Sequence, residues 1–141
     1  MPLNSAQNGS ALRSTLITVA IVVLALAFAA TLLPRGFSDD LSRIGQGRPA
    51  VVLIHDKEAV ASMELMTMLN DIRSDYEDRL EFLAVDAASA DGRRFAQGQG
   101  LGSSLLVLFD GNGSRVGIVD GVRDPAILRS ALERHFDLSS P

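Results

Sequence analysis

Apolar positions along the chain follow two patterns, and the change between them marks its organisation. Residues 16–33 read LITVAIVVLALAFAATLL, uncharged throughout and interrupted only by Thr18 and Thr31. At about 1.5 Å rise per residue, a helix over this run reaches roughly 27 Å, close to the ~30 Å hydrocarbon core of a bilayer. Beyond it, apolar residues come in short blocks. Ala50–His55 is a near-continuous apolar run, the mark of a strand covered on both faces. From Lys57 the period changes. Ala61, Leu65, Met68, Leu69, Ile72 and Tyr76 make one helical stripe, with Asp56 placed to cap it.

The remaining elements follow from the same signals. Residues 80–85 predict a second strand ending at Asp86, and Leu105–Phe109 predict a third. Asp110-Gly111-Asn112-Gly113 then turns the chain into residues 115–119, which reads as an antiparallel hairpin. Ser38-Asp39-Asp40 offers cap chemistry for a short helix through Ile44, and residues 91–97 predict another. The glycine-rich residues 98–102 are expected to be loop. Asp124-Pro125 opens a last helix whose apolar face is Ile127, Leu128, Ala131, Leu132 and His135 or Phe136. Two buried runs joined through a long helix argue for a parallel pair, to which the hairpin adds an antiparallel edge. The expected division is a tail over 1–15, a transmembrane segment over 16–33 and an α/β domain over 38–137.

Two readings compete for the apolar segment. Arg13 is the only basic side chain ahead of it, and Ala27-Phe28-Ala29 fits the small-x-small site of a cleaved secretory signal. Thr31-Leu32-Leu33 prolongs the run past that cut, which favours an uncleaved signal-anchor. The balance of Arg13 against Arg35, Arg43 and Arg48 points to a cytoplasmic domain, whereas the usual signal-anchor topology with a short tail inside gives an extracytoplasmic one. The expected address is a single-pass membrane protein with a periplasmic domain.

Composition narrows the chemistry. The 141 residues hold 13 Lys+Arg against 17 Asp+Glu, a net charge of −4. Because the only charge before residue 34 is Arg13, the domain itself is slightly more acidic than the whole chain. Phosphate backbones are bound through clustered cations, so nucleic acid is not an expected partner. There is no cysteine. Disulfides, thiolate nucleophiles, zinc–thiolate sites and iron–sulfur clusters are therefore excluded together.

Over residues 38–136 the chain resembles the thioredoxin-like fold. The likeness lies in the order and lengths of the elements and in the second strand with its terminal Asp86. It extends to the strand Leu105–Phe109 running into a glycine-rich hairpin, and to Gly121 ahead of a capped C-terminal helix. The resemblance implies a three-layer α/β/α domain with a mixed four-stranded sheet, preceded here by one transmembrane helix. The family's functional residues do not accompany it. Its Cys-x-x-Cys would fall on about Ala59-Val60-Ala61-Ser62, its buried acid on Leu53 and its cis-proline on Ser104. A scaffold without them can pack but cannot exchange electrons. What the resemblance leaves is a groove that pairs backbone with extended peptides, here beside Ala59, Val60, Ala61, Ser62, Ser103, Ser104 and Leu105. The expected role is a redox-inactive adaptor that binds a protein or peptide partner and needs no cofactor.

Other candidates have duller readings. His55, Met63 and Met66 hold the imidazole and thioether ligands that suit Cu(I), and some thioredoxin-like copper chaperones use this region, but methionine is also a common core filler. Ser62 with His55 suggests a nucleophile and base, yet no orienting carboxylate or oxyanion hole is marked. His135 fits a residue that balances a helix dipole. Asp110-Gly111-Asn112-Gly113 lacks the further oxygen ligands of a calcium loop, and the glycines of 98–102 lack the Lys-Ser/Thr of a phosphate loop. A structural subunit of a membrane complex also remains open, since Ala25, Ala27, Ala29 and Ala30 permit close helix packing.

Overall fold

The computed structural model describes residues 8–32 and 36–138. The chain divides into two compact units at Gly36. The first holds one helix, α1 (Asn8–Leu32), of 25 residues. Its window Arg13–Thr31 has a mean hydropathy of 2.3, and none of that window is buried. The two hydroxyls within the apolar run are satisfied locally, Thr18 donating to the Ser14 carbonyl at 2.9 Å and Thr31 to that of Phe28 at 2.6 Å. A helix of this length and composition can cross a membrane with every backbone bond made internally. It begins ahead of residue 16 because Asn8 to Thr15 contain no helix breaker beyond Gly9.

The second unit begins with a 3₁₀ turn, Leu41–Arg43, capped by the Asp40 carboxylate, which accepts from the Ser42 N–H. The elements β1 (Ala50–His55), α2 (Val60–Arg73), β2 (Glu81–Asp86), α3 (Ala90–Gln99), β3 (Leu105–Phe109), β4 (Arg115–Asp120) and α4 (Pro125–Phe136) follow. The sheet order is β2-β1-β3-β4. β1 and β2 are parallel with Ala50 opposite Glu81 and His55 opposite Asp86, while β3 runs antiparallel to both β1 and β4. A bulge between Leu108 and Phe109 of β3 and their β4 partners shifts the register at the hairpin end.

Side chains alternate between two cores. Val51 and Leu53 with Leu106 and Leu108 pack under α2 and α4 against Leu65, Leu69, Ile72, Leu128 and Leu132. Val52, Ile54, Leu83, Val85, Val107 and Phe109 face the other way, towards Ala96 and Phe95 of α3 and Leu41 and Ile44 of the 3₁₀ turn. That double cover explains why β1 and β3 are continuous apolar runs. β4 lies at the edge, where only Val119 is buried. The opposite edge gains a bridge that the periodicity does not announce: Ser38 pairs in parallel with Leu83, and the Ala84 N–H donates to the Ser38 carbonyl at 2.9 Å.

Three local expectations are corrected. Asp56 does not cap α2. Its carboxylate accepts from the Glu58 N–H at 3.0 Å in a tight turn, so the helix starts at Val60 behind Ala59, which has no side-chain cap bond. The later start alters which residue heads the inward stripe: Ala61 is exposed and Ser62 is fully buried. Gly98 and Gln99 are helical rather than loop. α3 stops only at Gly100, whose φ of 69° is the left-handed cap that glycine allows, with the Leu101 N–H closing onto the Ala96 carbonyl at 2.9 Å.

Candidate functional site

The C-terminal end of β1, the first turn of α2 and the loops before β3 and after β4 converge at one end of the sheet. Ser62 is the hub. Its Oγ accepts from the Asp56 N–H at 2.8 Å and lies 3.0 Å from Nδ1 of His55. With the Asp56 amide on one lone pair, the hydroxyl proton is free to point at Nδ1 when His55 carries its own proton on Nε2. Beside it, His55 and Asp86 are register partners, and the His55 carbonyl accepts from the Ala87 N–H at 2.7 Å. The Asp86 carboxylate is held by Lys57 Nζ at 2.6 Å and by the Ala88 N–H at 2.8 Å. The Lys57 contact first, and the amide second, keep its pKa below the ordinary carboxylate value.

This arrangement does not make an active serine. A nucleophile must reach solvent or substrate, and Ser62 is 0% exposed. Among the described residues His55 has no hydrogen bond to a carboxylate, and the Asp86 oxygens are held by Lys57 and the Ala88 N–H. With no cysteine in the chain, thiol–disulfide exchange is impossible here. Among the described residues, no three His, Asp or Glu side chains form a group able to hold a metal ion. Of the copper candidates, His55 is tied to Ser62, Met66 packs against the α2–α4 core, and Met63 is 48% exposed.

Ser104 occupies the position expected to rim a groove. All described peptide bonds are trans, and Ser104 takes φ 65°, with its N–H donating to the Ile54 carbonyl at 2.8 Å. A proline could hold neither that φ nor that bond. Ser104 and Ala61 line a cavity of about 200 Å³ with Leu65, Glu64, Asp120 and the loop Gly121, Val122 and Arg123. A second cavity of about 540 Å³ adjoins it, sharing Glu64 and Arg123 and bounded by Val60, Met63, Thr67, Met68 and Pro125. Val60 is 65% exposed at its mouth. The backbones of Ser103, Val122 and Arg123 make no hydrogen bond with the rest of the described chain.

The seven residues singled out from the sequence are therefore split. Val60 and Ala61 are exposed, Ala59, Ser103 and Ser104 are half-buried, and Ser62 and Leu105 belong to the interior. Glu64, Asp120, Val122, Arg123 and Pro125 were not among them. Val60 and Met63 carried the available signal, as apolar residues lying off the helix stripe.

No family model matches this chain, and no curated protein matches it. Solved structures do. The thioredoxin of Malassezia sympodialis (Mala s 13) superposes with a TM-score of 0.58 at 23% identity, covering 70% of this chain and 88% of that one. Thioredoxin O2 of Arabidopsis thaliana in its oxidised state gives 0.55 at 17% identity, over 66% of this chain and 83% of its own. Mitochondrial thioredoxin 3 of Saccharomyces cerevisiae in its oxidised form gives 0.55 at 16%, over 64% and 82%. Likeness at this level of identity speaks to architecture. With the β2-β1-β3-β4 sheet between α2 and α4 on one face and α3 on the other, it shows that the chain carries a thioredoxin-like fold without a redox cysteine.

Proposed function

We propose that this chain is a membrane-anchored, redox-inactive, non-enzymatic adaptor whose thioredoxin-like domain holds an extended segment of a partner protein on the extracytoplasmic side. The observation that carries this reading is the pair of adjoining cavities beside Ser104 and Ala61, flanked by the unpaired backbone of Ser103, Val122 and Arg123. Main-chain groups left open at the rim of an apolar groove are what strand addition uses, and that mode of binding needs no catalytic residue. The α1 helix supplies the anchor in this reading.

The test is site-directed photocrosslinking of the full chain in the membranes of its own host, with the probe at Ala61 and a control probe at Arg94 on α3, in the opposite layer. The reading expects a discrete protein adduct at Ala61 that Ser104→Phe, which fills the cavity, removes. Equal labelling from both positions, or an Ala61 adduct indifferent to Ser104→Phe, would sink it.

A further inference from the structure

The charges lining the groove specify the chemistry of the occupant. Glu64 stands between the two cavities, and Asp120 lines the smaller one with Ser104. Neither carboxylate makes an ion pair or a side-chain hydrogen bond among the described residues, although Asp86, Glu81 and Asp75 elsewhere in the domain are all paired. Arg123 is the single cation of the lining and is likewise without an ion pair. The lining of the two adjoining cavities thus carries two free carboxylates and one guanidinium, beside an apolar floor in the larger that includes Val60, Met63 and Met68.

The geometry points to a partner segment with an apolar side chain and, two residues away, a lysine or arginine. The spacing follows from the extended backbone, in which residues i and i+2 face the same side. The apolar side chain seats against Val60 and Met63, and the cation reaches Glu64 and Asp120. This inference rests on the groove reading above and adds the charge and spacing of the ligand.

The experiment uses the full chain in detergent micelles and three fluorescein-labelled hexapeptides, read by anisotropy. The first is Gly-Ser-Val-Ser-Lys-Gly; the second replaces Lys by Glu, and the third replaces Val by Ser. The lysine peptide is expected to bind tighter than both others. Glu64→Gln and Asp120→Asn should each weaken it by about threefold to fivefold, the range of an exposed ion pair. The double variant should lose the preference for lysine over glutamate, and added salt should shrink it in the wild type.

Equal affinity for the lysine and glutamate peptides would overturn the charge assignment while leaving the groove reading standing. So would a lysine preference that survives the double variant, since the attraction would then come from the acidic domain as a whole. Preference for the glutamate peptide would overturn it in favour of Arg123 as the selecting group. Absence of binding by all three at millimolar concentration would remove the groove reading and this inference together. Both variants replace exposed, unpaired side chains, so the wild-type unfolding midpoint should be retained and a folding defect distinguished from lost binding.

Discussion

Ser62 shows how a polar side chain is kept in a core. Its hydroxyl sits where the α2 stripe would otherwise place a methyl group, and it joins the turn after β1 to the helix that follows. Ser62→Ala should destabilise the protein by about 1–3 kcal/mol, because the Asp56 N–H then loses its partner inside the structure. The expected readout is a lower denaturant midpoint with an unchanged slope; a midpoint equal to wild type would mean that water replaces the hydroxyl. Asp86 makes a separate, pH-dependent contribution. Its pKa is held below 3.8, chiefly by Lys57, so its stabilisation is complete above that value and fades as pH falls through the lowered one. Asp86→Asn preserves an oxygen for the Ala88 N–H but not the ion pair. Midpoints of wild type and Asp86→Asn should therefore differ at neutral pH and converge in acid, whereas a constant offset would assign the effect to packing.

At the level of elements, α3 is positioned by the end of β2. Ser89 caps it, its Oγ accepting from the Gly92 N–H at 2.9 Å while donating to the Asp86 carbonyl at 2.7 Å. Gly92 is buried so close to that carbonyl that a Cβ would stand 1.9 Å from the oxygen. Gly92→Ala, ordinarily favourable inside a helix, should here cost about 3 kcal/mol or more, since backbone must move to admit the methyl. A thermal midpoint equal to or above wild type would show that the first turn of α3 is free to slide. No sequence period reports this kind of contact. The strands and helices were legible because burial on one or two faces leaves a repeat of two, a repeat of 3.6 or an unbroken apolar run. The start of α2 and the end of α3 were not, because they depend on local backbone geometry, a tight turn at Asp56 for the one and the left-handed Gly100 for the other. The Asp56 carboxylate accepts from the Glu58 N–H in a turn ahead of the helix, while its own N–H donates to Ser62 Oγ.

The whole molecule joins a domain with two complete cores to a helix suited to a different solvent. The domain's architecture could be read from the order of its apolar runs, down to the parallel β1–β2 pair and the antiparallel hairpin. Its candidate site was half visible. The first turn of α2 and Ser104 could be placed by resemblance, but Glu64, Asp120 and Arg123 meet only through the tertiary fold. The apolar segment is the plainest feature of the sequence, and it carries the last prediction. No part of its window Arg13–Thr31 is buried, which leaves a long apolar surface that a bilayer would cover. If it remains as an anchor, the C-terminally tagged chain should stay in the membrane pellet after an alkaline carbonate wash, with the mass of the full sequence. Leu24→Arg places a charge at the middle of the span, where insertion costs about 2.5–3.5 kcal/mol more, and should shift the protein towards the soluble fraction. A soluble wild-type product beginning after Ala29 would instead identify residues 27–29 as a cleavage site. The domain would then be released, and the adaptor role would have to be carried out without a membrane tether.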